Sequence, residues 1–134
     1  MGEVYAVLFS WALTLSGYPL APQPEIVFKP HQYFVDTACK GSKNCMVIGW
    51  FSGGDVVYID DNIDINGNQI AASIVVHEYA HYLQYRNGEP HGTCKEKIEL
   101  ERKAYGIQKE YLLKNGVLAN GIGLSVNSMN CVDK

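Results

Sequence analysis

The sequence has no run of lysine and arginine residues and no excess of positive charge. Its 134 residues include 11 Lys and Arg against 14 Asp and Glu, a formal net charge of −3. Proteins that bind nucleic acid or anionic membranes need a basic surface, so this composition argues against both partners. With 47% hydrophobic and 19% charged residues, the chain also lacks the composition of a disordered or collagen-like protein. We therefore expect a single globular domain, residues 1–134. We also expect a monomer, a separate prediction that the composition does not address.

Cysteine is scarce, and the four cysteines lack the CxxC spacing of a zinc knuckle or a thioredoxin-type redox site. Cys39 and Cys45 flank a short polar segment that favours a turn, and Cys131 can tie the tail of the chain to Cys94. We predict the disulfides Cys39–Cys45 and Cys94–Cys131, with four free thiols as the alternative. Disulfides persist in oxidising compartments, so this prediction favours a secreted or periplasmic protein.

Long hydrophobic runs are absent as well. The longest, residues 4–15, is shorter than the roughly 20 residues that a membrane-spanning helix needs, and no Lys or Arg precedes it. We interpret residues 1–17 as a buried N-terminal helix that is stopped by Gly17 and Pro19. An uncleaved secretory signal is the alternative.

The rest of the chain predicts an α+β fold. Turn-forming residues separate three short runs of β-branched and aromatic residues, which lie at 26–28, 46–51 and 56–60. These runs predict a small sheet within residues 26–60. The hydrophobic period then becomes helical, with one helix over 69–86 that Asn66 or Asn68 can cap. A capping-box sequence begins a second helix over 94–114.

The first of these two helices contains an HExxH motif, His77-Glu78-Tyr79-Ala80-His81. Residues four apart lie on one face of a helix, so the two histidines can present their imidazoles to one metal ion. Glu78 projects about 100° away from His77, beside the metal position rather than on it, where its carboxylate can accept a proton from water. The alternative is a helix with two ordinary histidines, but buried imidazoles need partners, and a metal ion provides one.

Glutamates on the second helix are the candidates for a third ligand. A helical projection places Glu101 within a broad apolar face, whereas Glu99 and Glu110 share the opposite, solvated face with Arg102. A carboxylate on a buried face needs a cation or strong donors, and a metal ion meets that need. We predict Glu101 as the ligand and keep Glu99 as the second choice; pairing of Glu101 with a Lys or Arg is the non-metal alternative.

These motifs resemble the gluzincin zinc metallopeptidases, in which HExxH and a glutamate on a later helix hold one zinc ion. The small size is similar to that of the minimal members called minigluzincins, and the longer pattern with Gln84, Ala104 and Gln108 is similar to short secreted bacterial proteins of unassigned function. The resemblance covers roughly residues 56–114. It implies a minimal zincin-like domain in which a small sheet packs on the active-site helix, beside the glutamate-bearing and N-terminal helices. Residues 46–51 or 56–60 would form the edge strand that pairs with an extended peptide.

The resemblance also implies an activity. One Zn²⁺ per chain, held by His77, His81 and Glu101, would assist hydrolysis of a peptide or protein substrate, with Glu78 as general base. Tyr105, one turn after Glu101, and His91, in the loop between the helices, are the candidates for stabilising the oxyanion. Two other classes remain open: a latent or silent zinc-binding interaction protein, and a disulfide-held inhibitor or toxin-like scaffold.

Overall fold

The structure, a computed structural model, describes residues 2–119, 121–124, 126 and 131. These residues form four helices and three strands, which confirms the predicted α+β class. In chain order they are α1 Gly2–Ser16, β1 Glu25–Lys29, α2 His31–Thr37, β2 Gly49–Trp50, β3 Val56–Asp60, α3 Gln69–Arg86 and α4 Cys94–Lys114.

The sheet is small and mixed, with the order β1-β3-β2. β1 runs parallel to β3, and β2 runs antiparallel to it, with Gly49 opposite Ile59 and Trp50 opposite Tyr58. Of the two runs that were candidates for the peptide-binding edge, 56–60 is therefore the central strand. β2, within 46–51, is an edge strand.

The predicted sheet region, residues 26–60, also contains a helix, α2, that no pattern in the sequence predicted. Pro30 has an extended backbone and is the N-cap of α2. Proline is tolerated at the start of a helix because a backbone N–H group there would have no acceptor within the helix. Phe34 and Val35 become buried in a small cluster with Cys45. This tertiary burial stabilises a seven-residue helix whose own sequence contains mostly poor helix formers.

The boundaries of α3 and α4 agree with the predicted helices, 69–86 and 94–114. Asn68 caps α3, because its side chain accepts hydrogen bonds from the backbone N–H groups of Ile70 and Ala71. Thr93 and Glu96 form the predicted capping box of α4. The N-terminal ends of both helices are thus fixed by capping side chains that can be recognised in the sequence.

The core lies between α1, the sheet and the pair α3 and α4. The N-terminal helix is present as predicted: Leu8, Phe9 and Ala12 are buried against the other helices, and the Phe9 ring meets the Tyr79 ring edge-on at 5.1 Å. Val57 of β3 is fully buried in the same core. α3 is therefore enclosed on most of its surface, and the side that remains faces a cleft.

Both predicted disulfides, Cys39–Cys45 and Cys94–Cys131, are confirmed. The first closes the loop that follows α2, and the second ties the start of α4 to the C-terminal tail. Within the part of the chain that the structure describes, no helix combines the length and the hydropathy that a membrane crossing requires.

Candidate metal centre

His77 and His81 project from adjacent turns of α3 toward one point. Their Nε2 atoms lie 3.1 Å apart, and their ring centroids are 4.7 Å apart. The spacing of four residues produces this arrangement, because such residues overlie each other on one helical face.

Glu101 reaches the same point from α4. The two helices run antiparallel, with Tyr111 donating to Gln69 near one end and Gln84 donating to Leu100 O near the other. Glu101 Oε1 therefore lies 3.3 Å from His77 Nε2 and also contacts His81 Nε2.

The other candidate, Glu99, lies 4.0 Å from Arg102 in an exposed ion pair. Glu99 is not part of the group that His77, His81 and Glu101 form. The structure thus brings together the three predicted ligands and leaves the second choice outside.

The donor atoms of these three residues fit a metal ion. They all lie within 4.8 Å of one another. A tetrahedral zinc ion, with bonds of about 2.0–2.1 Å, requires its ligand atoms to be about 3.3 Å apart. The two distances at His77 Nε2, 3.1 and 3.3 Å, meet this requirement, whereas His81 Nε2 and Glu101 Oε1 are in closer contact and would have to separate around an ion. Two imidazole nitrogens and one carboxylate oxygen can hold such an ion and leave a fourth position open.

Gln84 fixes the orientation of His81. Its Oε1 atom lies 2.9 Å from His81 Nδ1, and its Nε2 atom donates to the backbone oxygen of Leu100 at 3.0 Å. The Gln84 side chain is buried. Because Gln84 Oε1 is an acceptor, Nδ1 of His81 must carry the hydrogen, which leaves Nε2 available to a metal. Gln84 also fixes the separation between His81 and the residue before Glu101.

We expect Gln84→Leu to weaken zinc binding by about 10–100-fold. Loss of a residue that hydrogen-bonds a metal-binding histidine typically lowers metal affinity by that amount. The measurement is a competition titration of the purified variant with a chromophoric chelator. Gln108→Leu is the matched control: Gln108 is another buried glutamine, and it donates to Ser73 Oγ instead. Equal zinc affinities of the two variants would contradict the role given to Gln84.

The three candidate ligands interact strongly with one another even without a metal ion. Burial lowers the pKa of His81, but its hydrogen bond to Glu101 and the nearby carboxylates outweigh burial and raise this pKa to about 9. Burial raises the pKa of Glu101, but hydrogen bonds from His77 and His81 hold it well below its ordinary value. His81 and Glu101 therefore form an ion pair, and a metal ion must displace the proton of His81.

Glu78 lies next to this group but does not belong to it. Burial raises the pKa of Glu78, and the nearby histidines lower it by a smaller amount. Its side chain packs against β2 at Gly49, where a Cβ atom would lie 3.0 Å from Glu78 Cγ and 3.2 Å from Ile74 Cγ2. Glycine at position 49 therefore leaves the space that the Glu78 side chain fills.

The metal-ligand group lies in a cleft of about 890 Å³. One wall is the edge segment, residues 46–53, which contains β2, and the other is the stretch of α4 from Lys97 to Gln108. Both oxyanion candidates line this cleft. The Tyr105 ring lies 4.5 Å from the His77 ring, beside the ligands. His91 donates from Nδ1 to Glu89 O at 3.1 Å, and its ring lies 6.4 Å from that of Tyr85, at one end of the cleft.

Two residues of the site, Gly49 and Gln84, were not assigned a role from the sequence. The role of Gly49 depends on the approach of β2 to α3, which no local pattern encodes. Gln84 could have been found, because it lies three residues after His81 and such pairs meet on a helix surface. Comparison of the chain with known proteins found no matching family model, no matching curated protein and no matching solved structure.

Proposed function

We propose that this protein is a zinc-dependent metallopeptidase that hydrolyses peptide bonds. The observation that carries the proposal is the position of Glu78, a partly buried carboxylate that lines the same cleft as His77, His81 and Glu101 and interacts with the charges of all three. Zinc is the metal of choice because two histidines and a glutamate match the ligand set of catalytic zinc sites. The site thus supports the gluzincin-type chemistry that the sequence resembles.

When bound, a zinc ion polarises a carbonyl group and lowers the pKa of water toward about 7. The chain supplies the remaining functions. Glu78 accepts a proton from the attacking water and passes it to the leaving nitrogen. Burial raises the pKa of Glu78 above its ordinary value, and a raised pKa makes a carboxylate a stronger proton acceptor.

Tyr105 is the better of the two candidates for the oxyanion. A donor must lie within hydrogen-bond reach of the reacting carbonyl oxygen, and that oxygen must be near the metal ligands. Tyr105 packs on the ring of His77, whereas His91 interacts with Glu89 and Tyr85 away from the ligands. We therefore assign the phenol of Tyr105 to the oxyanion and reserve His91 for substrate binding.

The edge of β2 can align an extended peptide with the metal-ligand group. Asp60 N donates to Ile48 O at 2.9 Å, so the backbone of Ile48 points toward β3. Because backbone groups alternate along a strand, those of Gly49 point the opposite way, toward the cleft. Backbone hydrogen bonds to Gly49 would hold a substrate as an added strand directly beside Glu78.

A latent zinc-binding interaction protein is the second candidate. The observation in its favour is that the segment after α4 approaches the site: Ile122 lines the cleft, and a Cβ atom on Gly123 would lie 2.8 Å from Tyr105 Cβ. In either case, the two disulfides suit an oxidising compartment, so we propose a secreted or periplasmic location.

Removal and return of the metal tests the proposal. We expect a chelator to abolish cleavage of an unstructured peptide and stoichiometric zinc to restore it, while circular dichroism shows that the fold persists. A wild-type protein that binds one zinc ion yet cleaves no peptide would favour the interaction protein. Unfolding on metal removal would indicate a structural zinc ion, and cleavage that survives complete metal removal would contradict the proposed chemistry.

A further inference from the structure

The cleft has two distinct ends, and the packing of α3 defines them. Gly49 lies against Ile74 and Glu78, and Gly53 lies against Tyr85, so the edge segment follows α3 toward its C-terminal end. α4 runs the opposite way, which places Leu100, near the start of α4, beside Gln84, near the end of α3. The metal-ligand group lies between the two ends.

The end of the cleft near the start of α3, which we call the apolar end, is lined by uncharged side chains. Its described lining residues are Met46, Ile48, Ile74, Gln108 and Ile122. The Met46 side chain is almost fully exposed, with 89% of its surface accessible. A substrate residue here would meet mostly aliphatic surface, so burial of an apolar side chain at this end is favourable.

The opposite end, which we call the basic end, is lined by Tyr85, Glu89, His91 and Lys97. The negative charge of Glu89 already has partners within the protein. The Tyr18 hydroxyl donates a hydrogen bond to Glu89 Oε2 at 2.7 Å, and Lys103 Nζ lies 3.6 Å from the same oxygen.

Lys97 differs from Glu89 in this respect. It lies one turn before Glu101, and no carboxylate among the described residues lies within 4.0 Å of its ammonium group. His91 uses Nδ1 to bond Glu89 O, which leaves Nε2 for a ligand. Among the described residues, the two side chains thus offer a cation without a carboxylate partner and a second donor at the same end of the cleft.

We propose that the cleft selects extended peptides that place a carboxylate at the basic end, against Lys97 and His91, and an apolar residue at the apolar end. This inference rests on the proposed peptidase function, because it names the substrate class of the same site. The carboxylate has two sources with the same chemistry, an Asp or Glu side chain and the C-terminus of the peptide. Lys97 is a specificity-determining residue in this proposal, and it takes no part in the chemical step.

The test uses the zinc-loaded Glu78→Gln variant, in which peptides bind without being cleaved. Fluorescence anisotropy measures the affinities of peptides that differ only by Glu, Gln or Lys at one scanned position, each with a free or an amidated C-terminus. We expect the best Glu peptide to bind about three- to tenfold more tightly than its Gln counterpart, as for an exposed ion pair supported by a second donor. The preference should fall with added salt. Comparison of the peptides with free and with amidated C-termini shows whether the side chain or the C-terminus supplies the carboxylate.

Charge reversal at Lys97 provides the sharper comparison. We expect Lys97→Glu to abolish the preference for a carboxylate and to favour the Lys peptide, because like charges then meet at the basic end. Lys109→Glu is the control, since it makes the same change of net charge on an exposed position of α4 outside the cleft. An equal affinity for Glu and Gln peptides, a preference that survives Lys97→Glu, or no measurable binding of any peptide would overturn the inference.

The two proposals fail separately. Hydrolysis by wild-type protein without a charge preference in the binding assay would remove the specificity proposal and leave the peptidase. A charge preference in the binding assay, together with no hydrolysis by the wild type, would remove the peptidase and leave a cleft that binds acidic peptides.

Discussion

Glu78→Gln should lower kcat for peptide hydrolysis by about 10²–10⁴-fold, the usual contribution of a general base, and leave the zinc content unchanged. Glutamine keeps the size of the side chain but cannot accept the proton of water. Glu78 is outside the ligand group, so its loss should not weaken metal binding. Because the Glu78 side chain is only partly buried and lines the cleft, a neutral amide of the same size should also leave the fold intact.

The measurements for this variant are elemental analysis, circular dichroism and hydrolysis of an unstructured peptide. Glu99→Gln is a suitable control, since it makes the same chemical change on an exposed residue that pairs with Arg102. Its activity should match that of the wild type. Full peptidase activity in Glu78→Gln would show that the water is activated by another group.

Glu101→Gln should lower the zinc affinity itself, and activity should fall with it. The change replaces a charged ligand by a neutral amide and leaves His81 without the carboxylate that it contacts. Loss of a residue that only supports a metal ligand lowers metal affinity by about 10–100-fold. We therefore expect loss of a direct ligand, Glu101, to lower the zinc affinity by at least about 100-fold.

Zinc affinity and activity should separate the two glutamates of the site. Added zinc should rescue part of the activity of Glu101→Gln, because Glu78 remains, whereas it should not rescue Glu78→Gln. The Glu99→Gln variant also tests the second-choice ligand. If zinc binding were lost in Glu99→Gln and kept in Glu101→Gln, the assignment of the third ligand would be wrong.

The parts of the structure that the sequence predicted are those controlled by local rules. Helix α4 begins at the capping box of Thr93 and Glu96, and α3 begins at the cap of Asn68, so their bounds could be read from the chain. The group of candidate metal ligands followed from helical geometry: a spacing of four residues aligned His77 and His81, and the apolar face of α4 carried Glu101.

The parts that the sequence did not predict depend on long-range contacts. Helix α2 is stabilised by burial of Phe34 and Val35 rather than by helix propensity. The edge position of β2 depends on which strands pair, and Gly49 acquires its role only when that edge reaches Glu78. No periodicity reports such contacts, because each brings together residues from distant parts of the chain.

The two disulfides make the free energy of unfolding depend on the redox potential of the surroundings. Their cysteines are 6 and 37 residues apart in the sequence. In a chain-entropy treatment, closed loops of these lengths restrict the unfolded chain by about 2 and about 4 kcal/mol at 25 °C. A domain of this size is stable by only about 5–15 kcal/mol in total. Reduction of both bridges would therefore remove a large fraction of the stability that holds α4, and Glu101 with it, in register with α3.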